Sequence, residues 1–492
     1  MKINISSLLN SPQAIVYPLL NNEKLSENLA KIARQAGLNA EALQKDFKAR
    51  LKETLPLYTA KKGLEKIYLI GLGKEPKQAD FIKVFRSFFY QHKKRLPLSV
   101  SIDLKASKLE SSIEYITNGV CLAQYEIGVF KTDKKADTDF FSAESELTIS
   151  VSEKGVEKAQ TLAQIGEETA KTQIRIMTLV DAPANIKYPQ KMAEYALQAG
   201  ELYGFDVKVF DEKECEGLGL GALLAVGKGS TENPPRFIVL EYNLSALADK
   251  PLKKIGLVGK GVTFDTGGVS IKGSGSMSYM KSDMGGAGAV LGTIELAAKL
   301  KLPVHLIGVI PVTENCVDGN ALKPSDVIKT YSGKTIEVID TDAEGRIILA
   351  DGLSYIKKVY EPEVIIDLAT LTGNCIAALG YSAAGLLSNN DVLAEQLLAI
   401  GQISGEKLWR LPLWDDYKDM MKSDIADVKN LSSLPIAGAI TAAKFLEIFI
   451  DGHSNWAHMD IAGMAFADSE YGSMKSATAY GVRLLTTWLR GL

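Results

Sequence analysis

Two stretches of the chain concentrate side chains able to do chemistry together. The first, VGKGVTFDTGGVSIKGSGSMSYMKSDMGGAGAV (258–290), carries Lys260, Asp265, Lys272 and Asp283. The second, VIDTDAEGRIILAD (338–351), carries Asp342, Glu344 and Arg346. Carboxylates crowded into one site repel each other, and some would take up protons unless cations neutralise them. Bound divalent ions do this, and oxygen donors suit Mg²⁺ or Mn²⁺, with Zn²⁺ also able to bind. Alternation along an extended Asp342-Ala343-Glu344 segment would point both acids to one side, where the pair could grip a metal centre. Gly261, Gly267, Gly268, Gly285 and Gly286 would let the backbone turn and approach closely. Taken singly, each acid reads as readily as an ordinary loop residue. The residues alone reach a di-metal hydrolase as one reading beside that one.

Other motifs are weaker. IGLVGKG (255–261) and GLGLGALLAVGKGS (217–230) look like phosphate loops, but neither fits G-x-x-x-x-G-K-[ST] or a strand-to-helix G-x-G-x-x-G. GSGS (273–276) is not the G-x-S-x-G of a serine-hydrolase elbow. There are only four histidines, His92, His305, His453 and His458, and no H-E-x-x-H. His305 lies in an apolar run and reads as a core residue. A metal centre here must therefore be built mainly from carboxylates.

The elements that would position these residues alternate between strand and helix. KIYLIGLG (66–73) and PLSVSID (97–103) are strand-like, with a helical pattern over 77–94 between them. Residues 24–53 read as one long surface helix. A polar segment, 131–146, has little to bury, and a charged helical run over 156–177 follows it. Beyond it, FIVLEY (237–242), KIGLVGKG (254–261), VHLIGVIPV (304–312) and EVIIDLATL (363–371) predict buried strands, with helices over 288–300 and 348–359. That alternation predicts an α/β fold whose central sheet is mixed and mostly parallel, with its site at the carboxyl ends of the strands. The domains are expected at 1–155 (N-terminal α/β), 156–177 (connecting helix) and 178–492 (catalytic).

A chain of 492 residues favours more than one core, and 46% hydrophobic with 23% charged residues is ordinary for a globular protein. The net charge of −3 gives no electrostatic reason to expect nucleic acid or an anionic membrane as partner. No run of 18 apolar residues suggests a membrane span, and the N-terminus lacks a signal-like apolar core. Cys121, Cys215, Cys316 and Cys375 lie far apart, which fits buried thiols in a reducing compartment. The expected location is cytoplasmic.

With these residues in view, DTDAEGRIILAD resembles the N-T-D-A-E-G-R-L-x-L-A-D signature of the leucyl (cytosol) aminopeptidase family. GKGVTFDTGGVSIK and MKSDMGGAGAVLG resemble that family's other metal-binding segments. PPRFIVLEY, DLATLTGNCIAALG, WRLPLWDDY, AGAITAAKFL and WAHMDIAG extend the likeness over about residues 165–490 in unbroken order. The resemblance implies a smaller N-terminal α/β domain joined by a helix to a larger catalytic α/β domain. It implies two divalent ions per subunit, Mn²⁺ or Zn²⁺. Lys260, Asp265, Asp283 and Glu344 would hold the more exchangeable ion, and Asp265, Asp342 and Glu344 the tighter one. A water bridging both would attack the scissile bond of a peptide with a free N-terminus, Leu-like first residues being preferred. Lys272 would stabilise the oxyanion, and Arg346 would hold a bicarbonate as general base. Met280, Thr370, Gly373 and Ala462 match the pocket for the first side chain, with plain core packing as the alternative at each. The family also implies a homohexamer, and a DNA-binding role known for some members finds no support in this chain's charge. This chain departs from the family pattern at Asp340, where Asn is usual, and at Gly273, where Pro is common. TLVDAPANIKYP (178–189) is a loose version of a family segment.

Overall fold

Short runs rich in β-branched and aromatic residues become the strands of two large sheets and two small ones in the computed structural model. It describes every residue except 10, 60, 106–108, 133–139, 245–251, 468–469 and 473. The chain divides into two units, Met1–Lys171 with Glu470–Ser473, and Thr172–Ser469 with Met474–Leu492. Both are α/β.

The first unit contains β1 (Lys2–Ser6), β2 (Ala14–Leu19), β3 (Thr54–Tyr58), β4 (Lys66–Gly71), β5 (Ser99–Asp103) and β6 (Glu146–Ser150). They pair in the order β1-β6-β5-β2-β4-β3, parallel except for β3, which runs antiparallel to β4. Side-chain alternation sorts the two faces. Val16, Tyr68 and Ile70 pack with Phe81, Val84, Phe85 and Phe88 of the helix Gln78–His92. Ile15, Tyr17, Leu19, Ile67 and Leu69 pack on the other face with Leu29, Ile32 and Leu43. The single helix expected over 24–53 is two, Leu25–Ala36 and Ala40–Asp46. Gly37 ends the first in the left-handed region at φ 73°. The Asn39 side chain then starts the second by accepting from Glu41 N and Ala42 N. Residues 133–139 of the polar segment 131–146 lie outside the described residues.

The helix Val156–Asp181 follows, and the chain passes from one unit to the next within it, at Lys171. The second unit supplies β7 (Asp206–Phe210), β8 (Arg236–Asn243), β9 (Lys254–Gly259), β10 (Gly261–Asp265), β11 (His305–Asn315), β12 (Val327–Lys329) and β13 (Thr335–Glu337). It continues with β14 (Val364–Ala369), β15 (Ala384–Ser388), β16 (Leu408–Arg410), β17 (Val428–Lys429) and β18 (Trp456–Asp460). Nine of these form one sheet in the order β16-β15-β18-β14-β9-β11-β8-β7, with β10 beside β11. Its middle, β18-β14-β9-β11, is parallel throughout, while β15, β8 and β7 run antiparallel to their inner neighbours. The sheet is thus mixed and mostly parallel, as its unbroken apolar strands predict.

Two helices cover opposite faces of that sheet. Ile307 and Val309 of β11 join the core containing Ile347, Leu349 and Leu353 of the helix Glu344–Tyr360. Gly308 between them faces Ile294 and Val290 of the helix Gly285–Lys299. The second helix sits unusually close to the strand ends: a Cβ on Gly286 would stand 2.0 Å from Leu368 O. Further along, a Cβ on Gly292 would meet Ile176 at 2.8 Å, and one on Gly288 would meet Ile176 and Val180 at 3.0 and 3.2 Å. Residues 172–181 of the long helix therefore lie in a groove cut by glycines. Among the described residues, no helix is long and apolar enough to cross a membrane. All four cysteines are free, three of them buried and Cys316 half-buried. Burial pushes every thiol up to about 12, so none is a thiolate near neutrality.

Candidate active site

The parallel strands of the large sheet deliver one cluster of side chains at their carboxyl ends. Lys260 leaves β9, Asp265 ends β10, Asn315 ends β11, Thr370 follows β14, and Asp460 ends β18. Lys260 is locked at both backbone groups, its N–H on Leu368 O (3.0 Å) and its carbonyl accepting from Ala287 N (2.9 Å). Its buried ammonium reaches Asp283 Oδ2 at 2.7 Å, Glu344 Oε1 at 2.9 Å and Thr370 O at 3.0 Å. A Cβ at position 345 would stand 2.7 Å from that nitrogen, so a side chain there would displace the Lys260 ammonium from this position.

Asp265 and Asp342 share the second lysine. Lys272 Nζ lies 2.8 Å from Asp265 Oδ2 and also pairs with Asp342 Oδ1. Asp265, Asp342 and Glu344 each present a carboxylate oxygen, and those oxygens lie within 4.8 Å of one another. Asp283 joins them through Lys260, and Thr370 Oγ1 donates to its Oδ1 (2.8 Å). The structure thus brings all five expected ligands and Lys272 into one site.

The second acidic segment is not the extended run that alternation implied. It follows β13, a three-residue strand of a separate small sheet with β12 and β17. Asp342 lies in a turn, Ala343 has φ −104° and ψ 38°, and Glu344 opens the helix Glu344–Tyr360. A turn into a helix, not strand alternation, converges the two acids. That turn is laced by residues that local pattern does not reveal. Asn315 Nδ2 donates to Asp265 Oδ1 (2.8 Å) and Thr341 O (3.0 Å). Thr341 Oγ1 donates to Gly267 O (2.6 Å) and accepts from Ser270 N (2.8 Å). Buried Asn430 accepts from Ile339 N (2.7 Å), donates to Asp340 O (2.6 Å), and offers its own carbonyl to Arg346 Nη1 (2.9 Å). Asp340 Oδ1 accepts from Asp342 N (2.9 Å), a bond that an asparagine carbonyl would make equally well. Gly273 has φ −63°, the angle a proline ring imposes, so its departure from the family pattern leaves the backbone path unchanged.

Electrostatics fit a site made for cations. Burial opposes the charge on Lys260 and Lys272, but the carboxylates around them outweigh it and hold both above the ordinary lysine range. Burial, with repulsion from Asp265, raises Glu344 and Asp283 above the ordinary carboxylate range against the pull of Lys260. Asp342 is raised for the same two reasons. Four carboxylates thus share two ammonium groups, and buried Glu344 Oε2 has no hydrogen-bond partner among the described residues. Crowded oxygen donors with spare lone pairs suit divalent metal ions. Arg346 is buried, and burial lowers it to about 10, so it stays cationic near neutrality. Its Nε has no partner among the described residues.

Of the four expected pocket positions, Thr370 and Met280 adjoin this cluster. Thr370 touches Asp283, and Met280 O accepts from Asp283 N (3.3 Å). Gly373 opens the helix Gly373–Leu379 with free space where a side chain would be, and Ala462 is half-buried. The other motifs resolve structurally. The glycine run 217–230 holds the helix Gly221–Gly227, whose Ala222 and Leu223 N–H groups are taken by Asp351 Oδ2 at 2.9 and 3.0 Å. His305 is not a core residue: it begins β11, half-buried, 2.7 Å from Glu241. His458 is fully buried and bonded to Asp367 at 2.6 Å.

Known proteins resemble the chain throughout its length. The model described as the cytosol aminopeptidase family, catalytic domain, matches residues 175–486, and the family's N-terminal domain matches 16–134. A probable cytosol aminopeptidase of Chlorobaculum tepidum is 44% identical, covering 99% of this chain and 98% of its own. Another, from Chloroherpeton thalassium, is 42% identical over 97% of this chain and 96% of its own. Among solved structures, a point variant of tomato leucine aminopeptidase superposes with a TM-score of 0.86 at 30% identity, covering 100% of this chain and 97% of its own. The bottromycin maturation enzyme BotP in complex with Mn gives 0.83 at 28% identity, with 98% and 99% covered.

Proposed function

Since the chain belongs to the cytosol aminopeptidase family, whose members are metal-dependent aminopeptidases, we propose that it removes Leu-like first residues from peptides with a free N-terminus, using two divalent ions. The observation that carries this reading is the set of three carboxylate oxygens within 4.8 Å, flanked by Asp283 and two lysines. Lys260, Asp265, Asp283 and Glu344 would hold one ion. Asp265, Asp342 and Glu344 would hold the other, with the Asp342 backbone carbonyl assisting. Mn²⁺ or Zn²⁺ suits these donors, and the Mn complex of BotP supports the former. Ions bound there would polarise the scissile carbonyl and make a water nucleophilic at neutral pH.

The chain's own groups do the rest. Lys260 must be neutral to donate a lone pair, and nearby dications favour the loss of its proton. Lys272 is partly exposed and charged, placed to meet the oxyanion that develops on the substrate. Arg346 keeps donors free for a small planar anion, and a bicarbonate held there would supply the general base. The substrate amine would lie beside Asp283, which restricts cleavage to the first residue. Met280, Thr370, Gly373 and Ala462 would line the pocket for its side chain. Residues 178–492 form the catalytic domain in this reading, 156–177 the connecting helix and 1–155 the N-terminal domain.

One assay tests the core of this. Chelation should abolish hydrolysis of Leu-peptides, Mn²⁺ or Zn²⁺ should restore it, and the N-acetylated peptides should stay intact. Full activity after verified metal removal, or equal turnover of blocked and free peptides, defeats the assignment. Assembly as a homohexamer is part of the same proposal. Its support is the exposure of large apolar side chains in the catalytic unit, with Trp409 and Trp414 both 63% exposed and Ile436 58%. Light scattering should return the mass of a hexamer, and a stable, fully active monomer rules it out.

A further inference from the structure

Asp460, at the end of β18, is completely buried. Its Oδ1 accepts from three backbone N–H groups, those of Leu371 (3.3 Å), Thr372 (3.4 Å) and Ala462 (3.2 Å). Its Oδ2 accepts from Thr372 Oγ1 at 2.5 Å. The same threonine oxygen accepts from Cys375 N (3.1 Å) and so caps the helix Gly373–Leu379. Ala369 and Asp460 are register partners on the adjacent parallel strands β14 and β18. One carboxylate therefore ties together the chain leaving both strands.

The donors fall in a telling order. Leu371 and Thr372 separate Thr370 from Gly373, and Ala462 is itself a pocket position. Thr370 is held from the other side, by Asp283 and Lys260. The turn is thus fastened at its start to the metal-binding residues and at its middle to Asp460. Loosening Asp460 frees Leu371 to Gly373 while leaving Thr370 and the ligands anchored.

We propose that Asp460 is the positioning residue that fixes the shape of the first-residue pocket, by clamping the turn 370–373 against the segment at Ala462. Its hydrogen bonds go to the pocket walls and to none of the expected metal ligands; its charge also acts on Arg346, an effect that Thr372→Val leaves in place. This inference rests on the aminopeptidase reading and its pocket assignment.

The experiment uses the full-length, metal-loaded enzyme and its Asp460→Asn, Thr372→Val and Thr372→Ser variants. Each is measured for bound manganese, melting temperature, and kcat and KM on free-amine peptides beginning with Ala, Val, Leu, Met and Phe. Asp460→Asn loses the acceptor for the threonine hydroxyl, and Thr372→Val loses the hydroxyl itself. Both should keep their manganese while KM for Leu-peptides rises about tenfold or more, the scale of a lost hydrogen bond to a charged group. The ranking of first residues should flatten in both, with kcat changing less than KM, and Thr372→Ser should restore it. If Asp460→Asn does not fold, Thr372→Val decides. Unchanged KM and ranking in folded variants overturn the positioning role while leaving the aminopeptidase reading intact. A loss equal for every peptide, in step with a lower melting temperature, overturns it too. Wild-type protein inactive on all these peptides defeats the functional reading and this inference together.

Discussion

Asp342→Ala is expected to lose bound metal and turnover together, while the protein stays folded. The Asp342 side chain is about one-third exposed (34%), and among the described residues its one ion-pair partner is Lys272. Truncating it opens no cavity in the core, so the melting temperature should move little. What disappears is one of three carboxylates whose oxygens lie within 4.8 Å of each other. Lys272 keeps Asp265 at 2.8 Å and would neutralise it more completely, competing with a cation for that acid. A metal acting as Lewis acid supplies several kcal/mol of transition-state stabilisation, so its loss should cost on the order of 10³-fold in rate or more. Elemental analysis beside a saturating-substrate assay reads both effects. Full metal content with wild-type turnover would show that Asp342 is an ordinary turn residue.

Arg346→Ala should separate the two quantities. Arg346 is no ligand, so metal content should stay near that of the wild type. A positioned general base contributes ~10²–10⁴-fold, and the variant should lose activity on that scale while retaining a residue of it. Arg346→Lys should recover little, because an ammonium cannot reproduce two parallel hydrogen bonds to a planar anion. Removing the guanidinium also leaves the buried Asn430 carbonyl without its donor, which should cost about 1–3 kcal/mol of stability. Turnover of the wild type should rise with added bicarbonate, and that of the variant should not. Wild-type kinetics in Arg346→Ala at saturating metal and substrate would exclude the role.

Much of this was legible in the residues before any coordinates. The fold of the second unit was readable because buried parallel strands are written as unbroken apolar runs, and Lys260 and Asp265 stood where such runs end. The cluster was readable because the expected ligands sit in a few short segments. Asn315, Asn430 and Asp460 were not, since each acts on backbone atoms far away in sequence. Asn430 reaches 90 residues back to Asp340 and 84 to Arg346. No local periodicity encodes such a bond. Three other expectations fail for reasons visible in the sequence. The Gly37-Leu38-Asn39 step carries both a helix stop and a helix start, enough to break the run 24–53. A strand's period does not apply to Asp342-Ala343-Glu344, because a helix begins there. His305 looked like core because its neighbours are apolar, yet first place on a strand leaves it beside Glu241 of β8.

The groove that Gly288 and Gly292 open for Ile176 and Val180 bears on how this molecule can be cut apart. A catalytic fragment expressed alone must begin no later than Thr172. Started beyond Ile176, it would leave an apolar furrow on the helix Gly285–Lys299, open to water and to other copies of itself. The last ten of the 26 residues in what looks like a tether are in truth a structural wall of the unit it leads to.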